Sequence, residues 1–178
     1  MFRAITERRI DLEGLTFDVV NRDTDQLNRM ATGDGPHITA ISIAHYPAIA
    51  QWYRLLNHGG SVGRNYGPVV VVPAGSPIAV AADLRDRRIA VPGLTTTACL
   101  VLRLITPFEP VVVPIVPPER TFEALASGEV DAALIIHEGR LTFPEHGCRK
   151  VLDIGEWWHG ETGLPLPLGG NVLRRDVP

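Results

Sequence analysis

Cysteine is scarce in this chain. Cys99 and Cys148 are the only two among 178 residues. Two distant cysteines make no disulfide framework, and both read as buried, inert thiols of a reducing compartment. Long hydrophobic runs are also missing. The longest, "VVVVPAG" (69–75) and "VVVPIV" (111–116), fall far short of the roughly 20 apolar residues a membrane-spanning helix needs. The opening stretch "MFRAITERRIDLEG" is charged and lacks the apolar segment of a secretory leader. A soluble, cytoplasmic chain without membrane insertion is expected.

No excess of positive charge exists. Net charge is −3 and the isoelectric point is near 6.1. The basic clusters "ERR" (7–9) and "DRR" (86–88) are mixed in sign and read as solvated faces. A nucleic-acid partner is therefore not expected. The six histidines, at 37, 45, 58, 137, 146 and 159, form no HExxH and no paired Cys/His set, so no metal is expected. "GRNYGP" (63–68) is not GxGxxG and has no following Lys-Ser/Thr, so it reads as a turn rather than a cofactor loop. A Ser-His-Asp hydrolase would want a GxSxG or equivalent nucleophile elbow, and "SGEVD" (127–131) is not one.

The composition that remains, 45% hydrophobic and 21% charged, suits one ordinary domain or two small lobes with a sizeable core. Apolar periodicity predicts strands at 15–21, 37–44, 67–76, 88–91, 110–116, 129–137, within 149–158, and at the end of the chain. Helices are predicted over 24–31, 45–56, 94–105 and 117–128. The first of these is capped by Asp23 or Asp25, with Leu27, Met30 and Ala31 as its apolar face. The paired tryptophans of "EWWHGE" (156–161) read as loop packing against the body rather than ligand stacking. Strands alternating with helices indicate an α/β architecture with largely parallel sheets, whose ligands bind outside the carboxyl ends of strands.

Two segments carry chemistry. "VPGLTTTA" (91–98) follows a strand, turns at Pro-Gly and opens a helix. A helix start presents unpaired N–H groups and a positive dipole end, suited to a carboxylate or phosphate. Simple capping by one threonine is the plainer alternative. "DAALIIHEGR" (131–140) is a core strand that ends on a histidine. A satisfied core histidine is the plainer reading here too. The strand-end position, the turn allowed by Gly139, and neighbours Glu138 and Arg140 that could orient the imidazole favour a general base.

Together, "GSVGRNYGPVVVV", "RIAVPGLTTTACLVLRL", "SGEVDAALIIHEGRLTFPEHG" and "LDIGEWWHGETGLPLPLGGNVLRRD" resemble the 1,4-dihydroxy-6-naphthoate synthases of the futalosine route to menaquinone. The resemblance implies a two-lobed fold like that of the type II periplasmic binding proteins, with a ligand cleft between lobes. It places a first lobe at 1–72, a second at 73–168 and a crossover back at 169–178. The family's opening loop and closing segment would lie outside this chain, leaving the first lobe incomplete. The implied activity is a carbon–carbon lyase that converts cyclic dehypoxanthinyl futalosine to 1,4-dihydroxy-6-naphthoate, without metal or organic cofactor. His137 falls on the family's proposed base. Ala40, Ile41, Ser42, Thr96 and Thr97 fall on substrate contacts, the threonine pair cradling the substrate carboxylate. Two alternatives stay open: a non-catalytic small-molecule-binding module of the same fold, and the chorismate dehydratase of the same route.

Overall fold

A computed structural model describes residues 3–177. In chain order the elements are α1 (Arg3–Thr6), α2 (Thr24–Met30), β1 (Ile38–Ser42), α3 (Tyr46–Ile49), β2 (Tyr53–Leu55), β3 (Ser61–Gly63), β4 (Val69–Pro73), β5 (Arg88–Val91), α4 (Thr97–Ile105), β6 (Glu109–Val112), α5 (Glu119–Ala126), β7 (Ala132–Ile135), α6 (Gly139–Thr142), β8 (Cys148–Asp153), α7 (Ile154–Thr162) and β9 (Leu166–Arg174). They form a mixed α/β molecule with two sheets. The larger runs β6-β5-β7-β4-β8 and the smaller is built around β9, which pairs with β1, β2 and β3.

The larger sheet is where the core sits. Along β4 the side chains alternate. Val70 and Val72 join Ile89, Leu102, Leu134 and Ile154 on one face, while Val69 and Val71 join Phe122, Leu125 and Ile135 on the other. Burial on both faces explains a run of four valines where a half-exposed strand would alternate with polar residues. Each buried branched side chain contributes about 1.5–3 kcal/mol. The smaller sheet has its own core of Ala31, Ile41, Ile49, Tyr53 and Val172.

Four expectations need correction. Only β5 lies parallel to its neighbours β6 and β7. β4 runs antiparallel to β7 and β8, and the smaller sheet is wholly antiparallel. The reason is topological: one returning strand, β9, serves as partner to three earlier ones. Residues 15–21 form no strand; Leu15, Phe17, Val19 and Val20 are exposed. An alternating pattern becomes a strand only when a partner edge accepts it. The helix expected over 45–56 is a short turn, Ile43–His45, then α3 and β2. There Tyr53 is fully buried and donates to the Pro36 carbonyl at 2.8 Å, and β2 pairs with β9. Finally, Trp157 and Trp158 pack against the large core as expected, but on a helix rather than a loop. Asp153 starts that helix by accepting from the Gly155 and Glu156 amides.

Sheet membership divides the chain at slightly different places from 1–72, 73–168 and 169–178. β4 belongs wholly to the larger sheet, and β9 begins at Leu166 in the smaller one. The chain thus crosses between sheets twice, before β4 and before β9.

Candidate active site

Between the two sheets lies a cavity of about 360 Å³. Ala40, Ile41, Ser42, Thr96, Thr97 and His137, which the sequence singles out from three distant segments, all line it. The crossing before β4 contributes as well, through Tyr66 to Pro68, and so does β9 itself, through Leu168 to Asn171.

His137 follows the carboxyl end of β7, whose four residues are all buried. The imidazole is exposed, and it lies where the cavity meets a second, open groove of about 1170 Å³. The turn behind it is not made as expected. His137 itself adopts the left-handed conformation, at φ +53°, a strained state for a side-chain-bearing residue. Gly139 serves a different need, because a Cβ there would lie 2.6 Å from Ile135 Cγ2. Neither neighbour orients the ring. Arg140 donates from Nη2 to Asp153 Oδ2 at 3.0 Å, and no hydrogen bond involves the imidazole among the described residues.

The start of α4 forms the facing wall. Thr96 is its N-cap, accepting from the Cys99 amide and donating to the Gly93 carbonyl at 2.8 Å. Thr97 Oγ1 donates to the Leu168 carbonyl at 2.7 Å and accepts from the Ala44 amide at 3.2 Å. Both hydroxyl protons are therefore committed to the protein. What the helix start offers the cavity is the pair of first-turn amides, Thr97 and Ala98, which have no acceptor among the described residues. They lie at the positive end of the helix dipole.

A buried polar network holds the two walls together. Asn28, fully buried, accepts from the Ser42 amide at 2.8 Å and donates to Ser42 Oγ at 3.1 Å and to Thr95 Oγ1 at 3.0 Å. Thr95 Oγ1 donates in turn to Asp25 Oδ1 at 2.9 Å. Asp25 fits only because residue 93 is glycine: a Cβ there would sit 2.1 Å from the carboxylate. Ser42 keeps its own hydroxyl proton free for the cavity, with no acceptor among the described residues. Ile41 turns its side chain into the small core. Sequence reasoning missed Asn28; an Asp-x-x-Asn pair on one helix face was its only signal. Among the described residues, no group of three His, Cys, Asp or Glu side chains is placed to hold a metal ion.

The sequence profile of the menaquinone biosynthesis family matches residues 1–178. The chain belongs to that family. It is 40% identical to the 1,4-dihydroxy-6-naphthoate synthase of Thermus thermophilus over 178 residues, which is 99% of this chain but 62% of that enzyme. A crystal structure of an Archaeoglobus fulgidus protein is 42% identical and superposes with a TM-score of 0.89, covering 99% of this chain and 64% of that one. This family member thus spans less than two thirds of the length of either relative. The alkanesulfonate-binding protein of Xanthomonas axonopodis, only 20% identical, superposes with a TM-score of 0.62 over 85% of this chain and 52% of its own. The shared fold is that of the periplasmic binding proteins, as the family resemblance implied.

Proposed function

We propose that this family member acts as a lyase on cyclic dehypoxanthinyl futalosine, releasing 1,4-dihydroxy-6-naphthoate for menaquinone synthesis. The observation that carries this reading is the convergence of His137, Ser42 and the start of α4 on one cavity whose lining includes no acidic side chain. In this reading His137 removes a proton from the bound substrate, and elimination of the sugar-derived part lets the naphthoate ring aromatise. The Thr97 and Ala98 amides hold the substrate carboxylate, with Thr96 fixing the helix start that presents them. Ser42 donates its hydroxyl, and Ala40 and Ile41 shape the adjoining wall. No metal or organic cofactor takes part, and no nucleic-acid partner is involved, in keeping with the net charge of −3. Two free, buried cysteines fit a reducing cytoplasm.

The test is conversion of cyclic dehypoxanthinyl futalosine to the naphthoate, followed by absorbance. The unaltered protein should turn over, and His137→Ala should lose at least about 100-fold in kcat, the lower end of what a positioned base supplies. Near-normal turnover by His137→Ala removes the base from the mechanism. Tight binding of the naphthoate with no turnover in either protein instead favours a binding module on the same fold.

A further inference from the structure

We propose that Arg140 is the residue by which the cavity selects an anionic ligand, its guanidinium donating to a carboxylate or other anionic oxygen of the bound molecule. This deepens the reading of the cavity as a carboxylate-binding site and rests on it. Arg140 lines the cavity one turn beyond His137, and no Asp or Glu stands with it there. A guanidinium keeps its charge at every relevant pH. Its position is fixed from two sides: Nη2 is bound to Asp153 at 3.0 Å, and the guanidinium carbon lies 5.3 Å from the centre of the Tyr66 ring.

That pairing does not use Arg140 up. Asp153, only 3% exposed at its side chain, commits its other oxygen to the Gly155 and Glu156 amides at 2.8 and 3.3 Å. Part of its charge is thereby held at the positive start of α7. On Arg140, Nε is buried without an acceptor, and Nη1 has none among the described residues. A structural ion pair would be expected to satisfy more of the fork, because a guanidinium matches a carboxylate bidentately. Nη1 is therefore the donor left for something that arrives in the cavity, the buried Nε being out of its reach.

The experiment measures binding of two probes of one shape, 2-naphthoate and the neutral 2-naphthalenemethanol, by titration calorimetry. The unaltered protein should prefer the naphthoate. Arg140→Gln should weaken naphthoate about tenfold or more and leave the alcohol within about twofold, and Arg140→Lys should recover part of the preference. Where Arg140→Gln leaves Asp153 stranded and fails to fold, the double variant with Asp153→Asn replaces it, the two neutral side chains removing the unpaired charge. Equal weakening of both probes makes Arg140 a structural residue and overturns the proposal. A naphthoate preference that survives in Arg140→Gln assigns selection to the α4 amides and overturns it as well. Binding of neither probe by the unaltered protein overturns the cavity reading, and this proposal with it.

Discussion

His137 holds a backbone conformation that costs an L-residue about 1–2 kcal/mol, at φ +53°. Glycine occupies that region freely, so the usual ordering of Gly and Ala should invert here. Ordinarily Gly is the less stable by about 0.5–1 kcal/mol, because its unfolded chain is more flexible. At this position His137→Gly should exceed His137→Ala in stability by about 1 kcal/mol, read as the difference in urea unfolding free energies. Both variants lose the imidazole, so both lose turnover if it is the base. Should His137→Ala prove the more stable, the strand end is not strained in solution. Strain stored at the residue proposed to do chemistry is a pattern seen where surrounding structure holds an active geometry in place. Here β7 supplies that hold, because all four of its residues are buried.

At the scale of elements, α2 shows what a sequence conceals. Periodicity assigns its inner face to Leu27, Met30 and Ala31; Ala31 is buried in the small core as expected, but Leu27 is only half-buried, Met30 is exposed, and Asp25 and Asn28 are buried beside them. An apolar stripe predicts burial only where the surface it meets is apolar, and α2 meets the polar 93–97 turn and the end of β1. Asn28→Ala leaves the buried Ser42 amide without its acceptor, while Thr95 keeps its bond to Asp25, and should cost about 1–3 kcal/mol for the amide left unsatisfied. Met30→Ala should stay within about 0.5 kcal/mol. Equal losses in chemical denaturation would mean the network is not formed. By contrast β4, β5, α4, α5 and β7 were legible because each is stabilised by a local pattern of its own: a both-faces-buried valine run, a threonine cap, an amphipathic turn closed by Gly128. β2 was not legible, because its strand state depends on β9, more than a hundred positions later. The same division holds within the site. His137 could be read from its strand, whereas the partner of Arg140 is thirteen residues away and Asn28 matters only once two sheets meet.

At the scale of the whole molecule, two sheets joined by two crossings leave most charged groups on the outside and both thiols and the Tyr53 phenol within, and that arrangement sets the pH dependence of stability. The Arg88 guanidinium holds the Asp131 carboxyl below its ordinary range. Backbone amides of Ala79 and Val80 do the same for Asp83, and Arg174 for Asp176. A depressed folded-state value means these groups stabilise the fold above about pH 4, and that stability is lost as pH falls through the folded values. Asp83 and Asp176 are exposed and Asp131 is half-buried, so the acid limb should be shallow and should shrink further in high salt. In the opposite direction, burial raises the thiols of Cys99 and Cys148 and the phenol of Tyr53. Their contribution is complete below their ordinary ionisation range and is lost as pH rises through the folded values. Cys99 and Tyr53 are fully buried, so ionising them in the interior is costly and the alkaline limb should be the steeper one. The urea midpoint should therefore stay nearly level between about pH 5 and 8 and fall on both sides. Asp131→Asn should flatten part of the acid limb. Cys99→Ala should delay the onset of the alkaline one, measured relative to its own neutral-pH midpoint because the truncation also leaves a cavity. An alkaline limb unchanged in Cys99→Ala, or an acid limb as steep in high salt as in low, would show that other groups govern the response.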